Sequence, residues 1–152
     1  MYRKTYETEE DKQREQGVAD SMQKILGEDI IVSENLGISY RLDRVLLKDK
    51  KIIGWVEIKC PRKESPSTMW QSYKISLRKI KDGLVWSRIT KAPFYLVVKF
   101  SNGIKYAEIK LEEYKYYEVE WGGRWKSARD KGDMELMASI PIELFSSLEF
   151  FI

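Results

Sequence analysis

The hydrophobic pattern opens with a helical stripe. Val18, Ala19, Met22, Ile25 and Leu26 recur at spacings of three and four, the period of one helix face, which predicts an amphipathic helix over residues 8–26. Thr8 can cap this helix, Glu9, Glu10 and Asp11 suit its positive end, and Gly27 stops it. Glu15 intrudes on the apolar stripe, and Asp11 lies one turn further back at its edge. Beyond Gly27 the period shortens to two. Residues 30–33 read as a short strand, and 38–47 and 51–60 as a hairpin closed by the polar turn Lys48-Asp-Lys-Lys51. In its first strand Arg41, Asp43, Val45 and Leu47 share a face. In its second, Val56 and Ile58 on one side and Trp55 on the other predict a strand covered on both faces, which Pro61 ends.

A second helix is predicted over 68–89, with Met69, Tyr73, Ser76, Leu77, Ile80 and Leu84 inward and Asp82-Gly83 as a candidate break. Residues 94–100 and 104–111 form another hairpin through Ser101-Asn-Gly103, a strong tight-turn signal. Residues 114–117 read as irregular strand, 121–133 as a loop, 135–140 as a last strand, and 141–148 as a short closing helix with Pro141 in its first turn. This order packs most economically as α/β (α+β), a central mixed β-sheet flanked by helices. One domain is expected, with a core over about 8–110 and a C-terminal extension over 111–152.

Composition narrows the chemistry. A chain of 152 residues, 43% hydrophobic and 34% charged, can bury one sizeable core. Without a long apolar run or a signal-peptide core, a cytoplasmic location is expected (a host's, if the source is viral). Cys60 is the single cysteine, which excludes an internal disulfide. Histidine is absent, and with it go Ser-His-Asp and Cys-His catalysis and Cys/His zinc sites. Hydrolysis must then run on carboxylates, lysines, tyrosines or metal-bound water, and hard oxygen ligands favour magnesium or manganese over zinc. The net charge of +3 is a mild bias, but Lys and Arg crowd 41–63 and 74–91, which is compatible with a phosphate-binding face.

The candidate chemistry sits at the end of the strand Gly54-Trp-Val-Glu-Ile-Lys-Cys60. Alternation places Glu57 and Lys59 on one face, and Asp43 on the preceding strand can supply a second carboxylate. Charges on an inner face are costly unless they meet each other, a metal or an anion. Asp43 and Glu57 are therefore candidate ligands of one divalent ion, with the Ile58 backbone carbonyl as a third oxygen. Lys59 stands beside them to stabilise a nucleophilic water and a pentavalent phosphate. Glu15 is placed to orient water or hold a second ion. Glu108-Ile-Lys110 repeats the triplet, but no Asp or Glu occurs from Gly83 to Ala107, so its partner strand offers no carboxylate.

With Glu15 on the first helix, Asp43 and Glu57-Ile-Lys59 on successive strands, and a basic helix following, residues 8–110 resemble the PD-(D/E)XK nuclease superfamily, and in particular its stand-alone phage-type or resolvase-like domains. The resemblance implies a restriction-endonuclease-like αβββαβ core and a magnesium-dependent nuclease acting on DNA. It makes Asp43 and Glu57 metal ligands, Lys59 the catalytic lysine and Glu15 the helical acid. Leu42 stands where the family name has proline. The family's second helix often lends a polar residue to the site; Tyr73, Ser76 and Lys79 occupy that stretch. Arg62, Lys63, Lys74, Lys79 and Arg88 are candidate phosphate contacts. Trp121 and Trp125 read more readily as plugs at a core edge than as base-stacking platforms. No membrane partner is expected, and monomer and homodimer both remain open. The alternatives are a non-catalytic nucleic-acid-binding module on the same fold and a protein-interaction domain.

Overall fold

The computed structural model describes residues 8–114, 117–123 and 134–151. The first helix, α1 (Glu9–Leu26), is closed by a capping box. The Thr8 side chain accepts from the Asp11 N–H, and the Asp11 carboxylate accepts from the Thr8 N–H. Val18, Ala19 and Met22 are buried as the stripe predicts, whereas Ile25 turns outward and is exposed. α1 lies on one face of a six-stranded sheet. Its strands are β1 (Ile31–Val32), β2 (Arg44–Lys48), β3 (Lys51–Lys59), β5 (Phe94–Phe100), β6 (Gly103–Ile109) and β9 (Ser146–Ser147), side by side in that order. Only β3 and β5 run parallel in it, with Glu57 beside Leu96 and Lys59 beside Val98. The connection between them carries β4 (Ser72–Ser76) and α2 (Leu77–Thr90). β4 joins β8 (Met134–Pro141) and β7 (Glu118–Gly123) in a second, antiparallel sheet, and the short helix α3 (Leu111–Tyr114) follows β6.

The sheet divides the core. Val56, Ile58, Leu46 and Val97 meet α1 on one side. Trp55, Phe94, Leu96 and Val98 meet Ile75, Ile80 and Ile140 on the other. The two-sided burial of β3 expected from Trp55, Val56 and Ile58 is observed.

Several expected elements differ. The strand over 38–47 begins only at Arg44. Before it, Gly37 (φ 81°) and Arg41 (φ 61°) bracket a 3-10 turn at Ile38–Tyr40, a conformation that no strand accommodates. The helix over 68–89 starts only at Leu77, where the Ser76 side chain accepts from the Arg78 N–H. The preceding Tyr73 and Ile75 alternate with Lys74 as a strand, because β8 supplies an edge for them. Tyr114 ends α3 rather than opening a strand, and residues 121–123 are not loop but the end of β7, held by pairing with Met134–Leu136. The closing helix over 141–148 is two 3-10 turns, Ile142–Leu144 and Leu148–Phe150, around β9, which pairs with β6 instead.

Asp82-Gly83 does not break α2. Gly83 lies where a Cβ would come within 2.3 Å of the Phe94 ring, itself fully buried. Helix propensity favours alanine by about 1 kcal/mol, but overpacking at a closed contact costs about 1–3 kcal/mol. Gly83→Ala is therefore expected to lower the midpoint of urea unfolding. An unchanged or raised midpoint would show that α2 can lift from the sheet without loss.

Trp121 is 69% exposed on β7, which overturns the core-plug reading for this residue. Trp125 and the rest of 124–133, with residues 115–116, lie outside the described residues. Tyr117 is buried. No described helix is long and apolar enough to cross a membrane.

Candidate active site

The carboxylates meet where β2 begins. Asp43, the residue before that strand, donates its N–H to the Val56 carbonyl, 3.2 Å. Its Oδ2 accepts the Ile58 N–H at 2.7 Å, so a side chain occupies the place of a ladder partner and the two strands part. In an extended strand a residue's N–H and C=O project toward the same edge, so the Ile58 carbonyl also faces this opening. Leu36 closes the segment from the far side, its N–H donating to the Asp43 carbonyl at 2.9 Å.

Glu57 is buried, 2% exposed, on the α2 face of β3. Its Oε2 lies 3.2 Å from the Lys59 Nζ, the same-face pair that alternation predicts. Its Oε1 is buried and has no hydrogen bond among the described residues. The Lys79 Nζ approaches it to 3.6 Å, an ion-pair separation longer than a hydrogen bond, while donating to the Arg41 carbonyl at 2.7 Å. One carboxylate thus faces two ammonium groups, from β3 and from the first turn of α2.

Electrostatics follow from this crowding. Burial, then the Glu57 charge and then that of Glu15, push the Asp43 carboxyl up to about 8, against the Ile58 N–H and the Lys59 charge, which favour its ionised form. Burial works against the Lys59 ammonium, but the neighbouring Glu57 and Asp43 carboxylates outweigh it and hold the lysine above its ordinary value. Lys59 is accordingly a cation at neutral pH. Burial and the Glu15 charge raise the Cys60 thiol to about 11, which keeps it protonated and makes it a poor nucleophile.

Glu15 approaches from the other side of the sheet. It is 7% exposed, and its Oε1 accepts from the Arg44 Nε at 3.1 Å and from the Asn35 Nδ2 at 3.2 Å. Arg44, itself 3% exposed, also donates to the Ser33 carbonyl and the Gln16 side chain. Sequence reasoning missed Arg44 and Asn35. The signal for Arg44 was present, because it shares a strand face with Leu46 and so had to point toward α1.

The candidate phosphate contacts are spread more widely. Lys79 is at the site. Tyr73 is half-buried against Trp70 and Phe100, near enough for the Lys59 charge to act on its hydroxyl, although burial dominates and raises it. The Ser76 hydroxyl is engaged in the helix cap. Arg62 is exposed and pairs with Asp11 on α1, 3.1 Å, and Lys63 is exposed beside it. Lys74 lies on the opposite face of β4 from Tyr73, paired with Glu120, and Arg88 is exposed near the far end of α2.

Among the described residues no three His, Cys, Asp or Glu side chains are gathered to hold a metal ion. The Asp43–Glu57 pair still fits a hard divalent cation. Magnesium commonly binds through one or two carboxylates and completes its shell with water, and the Glu57 Oε1, without a hydrogen bond among the described residues, is a buried acceptor of the required kind.

Comparison with solved structures places the chain near Hjc from Archaeoglobus fulgidus, a Holliday junction resolvase from an archaeal hyperthermophile. The TM-score is 0.55 and the identity 14%, over 89% of this chain and 96% of that one. D212, a nuclease from a fusselovirus, aligns with a TM-score of 0.49 and 12% identity over 90% of this chain and 82% of its own. At 14% identity the likeness to Hjc concerns the fold, a restriction-endonuclease-like arrangement of a mixed sheet and helices. Comparison with curated proteins gave no match. The family described as "Phage putative PDDEXK endonuclease" matches residues 1–148. With nearly the whole chain matched and the Asp43, Glu57-Ile-Lys59 pattern assembled at the mouth of β2 and β3, the protein belongs to this PD-(D/E)XK phage endonuclease family.

Proposed function

We propose that the protein is a metal-dependent nuclease that hydrolyses DNA phosphodiester bonds. The observation that carries this reading is the buried Glu57 carboxylate, with one oxygen lacking a hydrogen bond among the described residues, beside a second carboxylate whose proton affinity burial and then the Glu57 charge raise. Such a pair is unfavourable alone and is relieved by a divalent cation. Asp43 and Glu57, with the Ile58 carbonyl, would hold magnesium or manganese, which when bound supplies Lewis acidity at the scissile phosphate. Lys59 holds its proton and places a positive charge against the phosphoryl oxygens as negative charge builds on them. Lys79 ties α2 to the turn carrying Asp43 through the Arg41 carbonyl and stands 3.6 Å from Glu57, where it would offer a second cation to a bound phosphate. The 61–63 loop, with Arg62 and Lys63, and the basic face of α2 hold the phosphate backbone, with little reading of base edges. Hjc is described as a Holliday junction resolvase; for this chain the reading is recognition of DNA structure or strand ends through backbone contacts. In the Glu57–Lys59 pair the Lys59 side chain is 36% exposed and the Glu57 carboxylate only 2%; a buried carboxylate with a reachable ammonium beside it supports the enzyme over a non-catalytic module.

The test is cleavage of linear, circular, single-stranded and branched DNA by purified protein, with magnesium and with chelator. Cleavage of at least one form is expected with magnesium and none with chelator. Equal cleavage in chelator would exclude the proposed ion, and binding without cleavage of any form would favour the module.

A further inference from the structure

Asp43 is followed by a buried cation whose every guanidinium nitrogen is engaged. The Arg44 Nε donates to Glu15 at 3.1 Å, Nη1 to the Ser33 carbonyl at 3.0 Å and Nη2 to Gln16 at 3.1 Å. Glu15 is equally occupied, because Asn35 Nδ2 reaches both of its oxygens, at 3.2 and 3.3 Å. The same segment is tied by backbone, with the Ser33 N–H on the Val45 carbonyl and the Ser33 hydroxyl accepting the Val45 N–H. The residue that follows Asp43 is therefore fixed to both α1 and the 33–36 segment.

We propose that Arg44 is the positioning residue of the carboxylate site, and that Glu15 serves as its buried counter-charge rather than as a metal ligand, so that the site takes a single divalent ion. This rests on the metal-dependent nuclease reading. For Glu15 to take an ion of its own it must release Arg44, which is 3% exposed and has no other carboxylate partner among the described residues. An unpaired buried guanidinium is strongly unfavourable. Groups that orient a ligand residue commonly change metal affinity by about 10–100-fold when removed, and Arg44 is placed to do so through the backbone it shares with Asp43.

The experiment is calorimetric titration of the full chain with manganese alone, with thermal unfolding of each variant to show that it is folded. The wild type is expected to bind one ion. Glu15→Gln keeps an oxygen for the Arg44 Nε–H and should retain one ion with affinity within about threefold, whereas Glu15→Ala should weaken binding about tenfold. Arg44→Met should match Glu15→Ala, and the double variant should be no worse than either, since residues acting through one contact are not additive. If Arg44→Met does not fold, Arg44→Lys, which keeps the charge but loses the fork, replaces it in the cycle. Two ions in the wild type with one lost in Glu15→Gln would overturn the proposal, as would additive losses, and either result leaves the nuclease reading intact. A folded wild type that binds no manganese would instead remove the reading on which the proposal rests.

Discussion

Lys59→Ala is expected to slow magnesium-dependent cleavage by about a thousandfold, the upper range for removing one preorganised group that stabilises transition-state charge, while DNA binding changes by no more than about threefold. The expectation follows from where the charge sits. Its Nζ is 3.2 Å from Glu57, and the two carboxylates keep it protonated against the effect of burial. A lysine held in its cationic form is unsuited to accept a proton but suited to oppose developing negative charge. Backbone phosphates can still be met by Arg62, Lys63 and the α2 cations, so affinity measured by fluorescence anisotropy with calcium in place of magnesium should persist. Lys59→Arg keeps the charge in a larger, planar group and should recover only part of the rate. Matching single-turnover rates for wild type and Lys59→Ala would remove Lys59 from the mechanism.

Asp43→Asn should separate metal binding from folding, with opposite signs. In the metal-free protein Asp43 has a carboxyl raised to about 8, against about 3.9 for an unfolded chain. The folded state therefore binds the proton more tightly. Its stabilising contribution is complete below about pH 4 and is lost as pH rises through 8. One unit corresponds to about 1.4 kcal/mol, so a shift of roughly four units sets a ceiling near 5–6 kcal/mol, and local relaxation at a site open to water leaves a few kcal/mol. The amide introduced by the substitution would carry no charge and could still accept the Ile58 N–H. At pH 8 in chelator the variant should unfold roughly 5–10 °C above the wild type, using about 2–4 °C per kcal/mol for a chain of this size. The two should converge near pH 4. Magnesium should reverse the order at pH 8, stabilising only the wild type. Parallel melting curves across this range would show that Asp43 does not bear the burden assigned to it.

Much of this arrangement was legible in the residues because it depends on local periods. The α1 stripe, the Thr8 cap, the Asn-Gly hairpin and the two-sided burial of β3 each follow from spacing that neighbouring residues enforce. The Glu57–Lys59 pair was legible for the same reason, since alternation alone puts both side chains on one face. What escaped depends on distant partners. Tyr73 and Ser76 fit a helical stripe with Leu77 and Ile80 as well as they fit a strand, and only the edge of β8 decides between them. The Arg44–Glu15 pair joins residues 29 apart in the chain across an α1–β2 contact. The 3-10 turn at 38–40 was hidden because Ile38 and Tyr40 look like strand residues, while the left-handed backbone at Arg41 has no compositional signal comparable to glycine. Trp121 was misjudged because its aromatic character suggested burial, whereas β7 carries it onto the surface.

The pairing of β4 with β8, and of β6 with β9, has a consequence for biogenesis. Ile75 and the inner face of α2 have no complete shelter until residues 134–148 have been synthesised and have folded back. A nascent chain halted before that point carries an open strand edge and bare apolar surface, the features that recruit chaperones and promote clumping.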